Sequence, residues 1–426
     1  MTQQKTAAPT LALTVLLAGL AAVGPFSIDT YLPAFPEMTE SLQTDVLRVQ
    51  QTLSIYLLTF GLMTLWHGAL SDSFGRRRVI LAGVAVYALT SLGCTLAPNI
   101  ETLWVMRGLQ GLSAGAGMVV SRAMVRDLYE GPTAQRLMSQ VAIMFAIAPA
   151  IAPIIGGWLL AWGHWRAIFA FLALASLALF IVCRKMLPES LPREKRQPFA
   201  LKPLFSGYRT VMGNLSFLAV SLGIGIFFSG YFVYILSAPM FVREHLELSV
   251  TQFYWLFVPG MCGMVAGSWL CGRVAGRWND KRALCVAFGV MLFAAALNLA
   301  ISRWFVFVPS ETRLFAPLPL SQHTFSLLVV VLPLAFYNLG VALSIPICTL
   351  WALDLFPEAR RGTAASCQSF LQTLVNTLVS AFVVHRIWHS RMGLAWSMIV
   401  MGALGAAMVL ASVFSASRLR GWQQPS

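Results

Sequence analysis

Long apolar runs, separated by short polar or turn-forming segments, account for most of this 426-residue chain. The runs contain about 19 or more residues, enough for a helix to cross the roughly 30 Å hydrocarbon core of a bilayer. Helices are favoured there because each one pairs its backbone hydrogen-bonding groups within its own segment. The pattern predicts twelve membrane-spanning helices, at residues 11–32, 50–70, 79–97, 102–122, 138–161, 167–187, 215–239, 251–272, 283–302, 323–351, 362–384 and 393–415.

The composition agrees with this pattern, and the placement of the charges removes one alternative. Hydrophobic residues make up 58% of the chain and charged residues 11%, which is more apolar surface than a soluble domain of this length could bury. The net charge of +14 would by itself permit nucleic-acid binding. The charges lie between the apolar runs, however, so we predict an all-α polytopic membrane protein with no nucleic-acid partner.

One long polar segment, residues 188–213, divides the predicted helices into two groups of six. It contains four prolines and a short basic run, a composition typical of a connection between structured units. We therefore predict an N-terminal six-helix half over 1–187, a cytoplasmic linker over 188–213 and a C-terminal six-helix half over 214–426.

A short repeat relates the two halves. The pair Gly75-Arg76, after the second predicted helix, recurs as Gly276-Arg277 after the eighth. Repeats of this kind in transporters place the substrate between the two copies, near the middle of the membrane. We expect the same arrangement here.

The distribution of Lys and Arg predicts the orientation, because basic loops stay on the cytoplasmic side. If the N-terminus is inside, the inner connections contain 22 of the 30 Lys and Arg and the outer connections seven. We therefore expect both termini to be cytoplasmic.

Four motifs carry a resemblance to a known family. The sequence GALSDSFGRR at 68–77 resembles the loop motif of the major facilitator superfamily, and the resemblance in twelve spans and two halves covers essentially the whole chain. RGLQG at 107–111 and APIIGG at 152–157 are similar to the arginine and antiporter motifs of drug/proton antiporters. DTYLPAFP at 29–36 is similar to the end of the first helix in the Bcr/CflA branch.

The resemblance implies a major facilitator fold in a multi-pass protein of the bacterial inner membrane. It also implies that the partners are protons, small amphipathic substrates and the lipid bilayer, and we expect a monomer. The sequence has no Walker loop and no metal-ligand spacing, and the all-helical pattern provides no strand-to-helix turn for a nucleophile elbow. We therefore expect no cofactor, no metal and no enzymatic activity.

Two charged residues lie well inside the predicted spans, Asp29 in the first and Arg107 in the fourth. At 1.5 Å per residue, Asp29 lies about 27 Å from the inner end of its helix and Arg107 about 8 Å below the outer end. Both therefore fall in the outer third, where contact directly or through a water is feasible. Intramembrane ionisable groups usually face a cavity, pair, or carry protons. We predict that Asp29 carries the proton and Arg107 sets its affinity; the alternative is a permanent, purely structural ion pair.

The loop motif contains residues suited to a cytoplasmic latch: Gly68, Asp72, Gly75 and Arg76. Gly75 permits a tight turn, and Asp72 can either cap the following helix or bridge to a neighbouring arginine. We predict that the latch switches between conformations. The alternative is a basic loop that only marks the topology.

The fifth span contains two prolines four residues apart, one before the antiporter motif and one inside it. Pro149 and Pro153 are expected to bend this helix, and Gly156 and Gly157 to let another helix approach closely.

Polar and aromatic residues at helical spacing are the candidates for the substrate cavity, because such stripes do not favour lipid. Helix-to-helix hydrogen bonding is the alternative for each of them. The predicted cavity residues are Tyr56, Phe227, Tyr231, Tyr234, Asn338, Gln368, Gln372 and Asn376.

Together these features predict proton-coupled efflux of small amphipathic drugs, such as antibiotics, by alternating access. The alternative is a dedicated exporter or importer of one metabolite, such as an amino acid, peptide or nucleoside. A narrow solute usually needs a fixed charge to bind it, and the predicted spans of the second half contain no Asp or Glu. A polytopic membrane enzyme would require a cluster of catalytic groups, and the sequence contains none.

Overall fold

A computed structural model describes residues 11–129, 131–196, 199–246, 248–249, 252–274, 277–304 and 322–421. The chain divides into two compact units, Met1–Ser206 and Gly207–Ser426. The division lies inside the segment predicted as a linker. Gly276, which belongs to the predicted repeat, lies outside the described residues.

The first unit is built from long helices. Its helices are α1 (Leu11–Asp29), α2 (Phe35–Ser41), α3 (Val46–Phe74), α4 (Arg76–Thr95), α5 (Ile100–Leu128), α6 (Gly131–Trp162) and α7 (Trp165–Met186), and α8 (Leu201–Met212) continues into the second unit. A 3-10 turn at Leu32–Ala34 joins α1 to α2. Within this unit α3 packs along α5, α1 along α6, and α4 against both α5 and α7.

The second unit is also helical. Its helices are α9 (Leu215–Leu236), α10 (Ala238–Met240), α11 (Tyr254–Val274), α12 (Asp280–Trp304), α13 (Gln322–Leu353), α14 (Glu358–Leu378), α15 (Val384–Ile387) and α16 (Arg391–Gly421). Turns of π-helix occur at Phe241–His245 and Val379–Val383. Here α9 packs along α16, and α13 lies against both α11 and α12.

The predicted fold class is confirmed, since each predicted span overlaps a long helix. Within the described residues, ten helices are long and apolar enough to cross a membrane. The differences from the predicted spans are local. The first span continues beyond residue 32 through the 3-10 turn and α2, because Pro33 and Pro36 fit at the starts of these short helices. The predicted span over 362–384 contains the π-helical turn after α14.

The predicted linker also contains regular structure. Helix α8 occupies its second part, and Pro203 lies in the first turn of this helix, where a missing backbone donor costs little. The rings of Phe199 and Phe205 lie 6.3 and 5.8 Å from the ring of Trp66 on α3. The part of the linker within the first unit is therefore packed on that unit.

Candidate functional site

Arg107 on α5 is completely buried among aromatic rings of the first unit. Its guanidinium carbon lies 4.4 Å from the ring centre of Tyr31, 4.3 Å from that of Tyr56 and 5.8 Å from that of Phe169. Such contacts attract a cation more strongly when it is removed from water. We call Arg107 and these three aromatic residues the arginine cage.

Neutral polar groups complete the arginine cage. Nη2 of Arg107 donates to the carbonyl oxygen of Ser27 at 3.2 Å, and Nη1 donates to the side-chain oxygen of Gln110. The other end of the Gln110 amide donates to the hydroxyl of Ser91 at 2.7 Å. The hydroxyls of Ser27 and Tyr87 are 2.6 Å apart. Helices α1, α4 and α5 are thus joined by one buried hydrogen-bond network around the guanidinium.

The bond to Ser27 also stabilises the C-terminal end of α1. The last four carbonyl groups of a helix have no partner within the helix, and Ser27 is among them because α1 ends at Asp29. A cation is favourable at this end, where the helix dipole is negative. The charge of Arg107 is therefore supported without a carboxylate in direct contact.

Asp29 is the last residue of α1 and is only 4% exposed. Among the residues that the structure describes, its carboxyl group makes no hydrogen bond and no ion pair with Arg107. A direct ion pair, one of the two contacts considered from the sequence, is thus not formed. Contact through a water stays a prediction.

The antiporter motif packs directly beside Asp29. Thr30 is the residue that follows Asp29. Gly156 on α6 lies so close to Thr30 that an added β-carbon would overlap the Thr30 carbonyl oxygen. Gly157 is buried as well, and both Pro149 and Pro153 lie inside α6. The predicted close approach is therefore made to the end of α1 that carries the acid.

At the junction between α3 and α4, the predicted latch residues form an ion network. Gly75 has a φ of +98°, a conformation that favours glycine. The Arg76 side chain lies 2.5 Å from Asp72 and 3.0 Å from Asp127 on α5. Of the two roles considered for Asp72, the structure has the bridge to an arginine. Gly68 has open space around its missing side chain.

The linker contributes to the same junction. Oε1 of Glu189 accepts a hydrogen bond from the backbone nitrogen of Arg76 at 3.0 Å, and so occupies the start of α4. The hydroxyl of Ser190 donates to Asp127 at 2.8 Å. The second copy of the motif has Arg273 where the first has Asp72, and the Arg273 guanidinium carbon lies 3.9 Å from the ring centre of Trp269.

In the second unit, two predicted cavity residues meet at Gly260 on α11. A β-carbon at Gly260 would overlap the hydroxyl of Tyr231 on α9. Nδ2 of Asn338 on α13 donates to the Gly260 carbonyl oxygen at 3.2 Å, and its Oδ1 is buried without a partner among the described residues.

The remaining cavity candidates of this unit lie apart from that pair. Tyr234 accepts a hydrogen bond from Asn298 on α12 at 2.5 Å, and Asn376 on α14 accepts one from Ser229 at 2.8 Å. Phe227 is buried, with its ring 5.6 Å from that of Phe288. The two hydrogen bonds join different helices, and helix-to-helix hydrogen bonding is the alternative considered for such residues.

The two glutamines on α14 differ in burial. Gln368 is 4% exposed, and its Nε2 has no partner among the described residues. Gln372 is half-buried, with its α-carbon against Gly225 on α9. Tyr56, the cavity candidate of the first unit, instead belongs to the arginine cage. A shared substrate cavity stays a prediction.

His245 ends the π-helical turn after α9, outside the membrane-spanning helices. Its Nε2 donates to the carbonyl oxygen of Trp388 at 3.0 Å. Burial lowers the pKa of the His245 imidazole, and the bond to Trp388 opposes that shift in part. The side chain of His389 lies 3.6 Å from Glu244 in the same region.

Sequence reasoning missed several members of the network around Arg107. Three of them are Ser27, Tyr87 and Ser91. Small and aromatic residues are common inside apolar runs, so the sequence alone does not mark these three as members of a buried network. Gln110 could have been found, because residues three apart share one face of a helix. In the second unit, Asn298, the partner of Tyr234, could also have been found, because it is an amide within an apolar span.

The comparisons with known proteins agree with this architecture. The family model described as Major Facilitator Superfamily matches residues 17–380. The chain is 31% identical over 376 residues, 88% of each chain, to the "Uncharacterized MFS-type transporter YdgK" of Bacillus subtilis (strain 168). It is 27% identical over 415 residues to "Multidrug resistance protein D" of Escherichia coli (strain K12), covering 97% of this chain and 98% of that one.

A solved structure has the same fold. It is the crystal structure of a D-xylose-proton symporter, with a TM-score of 0.69, 16% identity and coverage of 95% of this chain and 97% of that chain. The helical architecture, the matched family model and the full-length relatives agree. The chain therefore belongs to the major facilitator superfamily and is a multi-pass secondary transporter, not an enzyme.

Proposed function

We propose that the chain is a drug/proton antiporter of the Bcr/CflA type, which expels small amphipathic compounds such as antibiotics across the bacterial inner membrane. The observation that carries this proposal is the buried carboxyl group of Asp29 at the end of α1, two residues after the Ser27 carbonyl that binds Arg107. Similarity to a relative named "Multidrug resistance protein D" supports the substrate class. The motif at 29–36 supports the branch.

Coupling requires that Asp29 exchange its proton with opposite sides of the membrane in turn. In the arrangement described, Arg107 is supported by the end of α1, Gln110 and aromatic rings, so it does not need the negative charge of Asp29. Loss of the Asp29 proton would add an attraction between the two groups. That attraction grows as the two groups approach, because the Coulomb energy of two charges varies inversely with their distance.

That attraction gives the protonated and ionised forms different preferred arrangements of α1 and α5. Gly156 packs against Thr30, so movement of the end of α1 also involves α6. We infer that proton release at Asp29 changes the packing of α1 against α6 at the contact between Thr30 and Gly156. A small shift at one site can be amplified in this way because packed helices have discrete arrangements.

One acidic group predicts one proton per cycle. A proton gradient supplies about 1.4 kcal/mol per pH unit, and a membrane potential about 2.3 kcal/mol per charge per 100 mV. One proton can therefore support a substrate ratio of about 10 to 1,000. Export of a neutral compound would be electrogenic, and export of a monovalent cation electroneutral. We further infer that both termini are cytoplasmic, because the inner connections hold most of the Lys and Arg.

Transport into proteoliposomes tests the coupling. Asp29→Asn should abolish proton-driven export while substrate binding is retained. Glu40→Gln is the matched control, because Glu40 is an exposed acid on the adjoining helix α2, and it should transport normally. Full active transport by Asp29→Asn would contradict the assigned role.

Growth of a pump-deficient host on an antibiotic panel tests the substrate class. Expression of the wild-type chain should raise the tolerated concentration of several structurally unrelated amphipathic antibiotics, and the Asp29→Asn variant should not. Resistance to no antibiotic, together with secretion of one metabolite, would favour the dedicated metabolite transporter instead.

A further inference from the structure

A cavity of about 370 Å³ lies where the linker returns to the start of α4 in the first unit. Four arginines contribute to its wall, Arg77 and Arg78 from α4 and Arg193 and Arg196 from the linker. Glu189 is the acid in the wall. The cavity is distinct from the arginine cage and from the predicted substrate cavity, so nothing in the proposed transport mechanism uses it.

Glu189 cannot neutralise this group of arginines. Its Oε1 accepts hydrogen bonds from the backbone nitrogens of Arg76 at 3.0 Å and Leu191 at 3.1 Å. Its Oε2 lies 3.4 Å from Nη2 of Arg196. The carboxylate is therefore engaged by backbone donors and one guanidinium, which leaves three further positive charges at the cavity.

The arginines retain unused donors. Nη2 of Arg77 donates to the carbonyl oxygen of Arg184 at the end of α7, at 2.6 Å. The Nε atoms of Arg77 and Arg196 are buried without a hydrogen-bond partner among the described residues. Arg78 and Arg193 are exposed and make no hydrogen bond or ion pair within the described part of the chain.

Several guanidinium groups around one concave space repel each other unless an anion lies between them. Guanidinium forks bind phosphate and carboxylate with paired, charge-assisted hydrogen bonds. A cavity of this volume is within the range of small-molecule sites, and it can accommodate a phosphate group with a small substituent. A phosphate-bearing anion therefore fits both the charge and the space.

The cavity also lies at the ends of two membrane-spanning helices, the start of α4 and the end of α7. Phe74, the last residue of α3, and Met186, the last residue of α7, are 51% and 53% exposed. Apolar side chains exposed beside a basic cluster are typical of a surface that contacts the lipid interface. A lipid headgroup could reach the arginines from that interface.

We propose that this cavity binds a phosphate-bearing anion, either the headgroup of an anionic lipid or a soluble phosphate compound. The anion lies between Arg78 of α4 and Arg193 of the linker, and it holds the linker against the predicted latch. The proposal concerns the first unit alone and does not depend on which substrate is transported.

Native mass spectrometry of the purified full-length chain tests the site. The probes are phosphatidylglycerol and phosphatidylcholine, added separately in detergent. The wild-type chain should retain phosphatidylglycerol preferentially, and Arg78→Gln with Arg193→Gln should weaken that retention at least tenfold, since each basic residue near a surface contributes severalfold to anionic-lipid binding. Lys185→Gln, which changes an exposed cation on α7 outside the cavity, should change retention less than twofold.

Inorganic pyrophosphate separates the two sources of phosphate. Displacement of phosphatidylglycerol by micromolar pyrophosphate would assign a soluble phosphate compound to the site, and persistence of the lipid at millimolar pyrophosphate would assign the lipid. Equal retention of the two lipids by the wild-type chain, equal retention by the double variant, or an equal loss with Lys185→Gln would overturn the proposal. Without added lipid, the double variant should retain the wild-type melting temperature, since neither side chain makes a hydrogen bond or ion pair within the described residues.

Discussion

Nη2 of Arg107 donates a hydrogen bond to the carbonyl oxygen of Ser27 at 3.2 Å, two residues before Asp29. The arginine thus contacts the end of α1 through the backbone. This contact keeps α5 against α1 in a state where Asp29 and Arg107 form no ion pair with each other. The contact also distinguishes two roles of Arg107, stabilising the end of α1 and setting the proton affinity of Asp29. Arg107 can stabilise the helix end whether or not Asp29 is charged.

The geometry of the arginine cage predicts that the guanidinium cannot be replaced by an ammonium group. Arg107→Lys keeps the charge, but a single ammonium cannot reach both Ser27 and Gln110 while stacked on Tyr31 and Tyr56. We expect the variant to lose about 2–3 kcal/mol of stability, from one cation–π contact and one hydrogen bond. Proton-driven transport should fall at least tenfold.

Thermal unfolding in detergent and proteoliposome transport measure the two effects. Arg126→Lys is the matched control, because Arg126 is an exposed arginine on the same helix. Wild-type coupling in Arg107→Lys would show that charge alone is sufficient and that the planar contacts have no role.

The close approach of α6 to α1 predicts a severe effect of one added methyl group. Gly156→Ala places a β-carbon on the carbonyl oxygen of Thr30, and backbone cannot move aside as a flexible side chain can. We expect a loss of about 1–3 kcal/mol of stability, as for other overpacked positions, together with reduced transport.

Gly163→Ala, just after the end of α6, supplies the comparison for Gly156→Ala. There the added carbon would meet its nearest neighbours at 3.4 Å, an ordinary contact. Melting temperatures of the two variants in detergent show whether the contact between α6 and α1 tolerates an added methyl group. Equal values would show that α6 moves away from α1 at little cost in free energy.

The main features of the fold could be predicted because bilayer thickness imposes a minimum length on each apolar run. The predicted run 50–70, for example, lies within α3 (Val46–Phe74). The short helix α2 that follows α1, and helix α8 in the linker, could not be predicted in this way, because they depend on prolines and on surface packing. Helix α8 is amphipathic, and length and hydropathy rules pass over such a helix.

The charged members of the site could be predicted, and most of their neutral partners could not. Asp29 and Arg107 are evident because ions are rare in apolar runs. Ser27 and Tyr31 resemble the residues around them, and their roles depend on how α1 is rotated against α5. The role of the linker acid Glu189 could not be predicted from the sequence either, because its contact with Arg76 joins residues 113 positions apart.

The latch junction predicts opposite outcomes at two glycines of one motif. Gly75→Ala forces an L-residue into φ +98°, and the added carbon would lie 2.5 Å from Glu189 and 2.7 Å from Arg196. We expect a loss of about 1–3 kcal/mol from the backbone conformation alone, with slower transport. Gly68→Ala has open space inside α3 and should be neutral or stabilising by up to about 1 kcal/mol.

Transport rates and melting temperatures of the two glycine variants can be measured in parallel. A normal transport rate for Gly75→Ala, despite a lowered melting temperature, would favour the alternative in which the basic loop only marks the topology.

The lowered pKa of His245 predicts that stability depends on pH in the second unit. Burial disfavours the imidazolium in the folded state, so the unfolded chain binds this proton more readily. Stability is therefore fully present above the unfolded pKa of about 6.5 and falls as the pH decreases toward the folded pKa. His245→Asn removes this contribution. Loss of the bond from Nε2 to Trp388 lowers the stability of the variant by a similar amount at every pH and so does not add to the pH dependence.

Melting temperatures from pH 7.5 down to pH 5 measure the effect. The wild-type chain should lose more stability over this range than His245→Asn. His389→Asn is the comparison, because His389 is an exposed histidine in the same region; it should change the pH dependence less than His245→Asn does. One group contributes at most about 1.4 kcal/mol per pH unit. Parallel curves for the wild-type chain and His245→Asn would mean that other groups cause the acid sensitivity, because the only difference between the two chains is the imidazole.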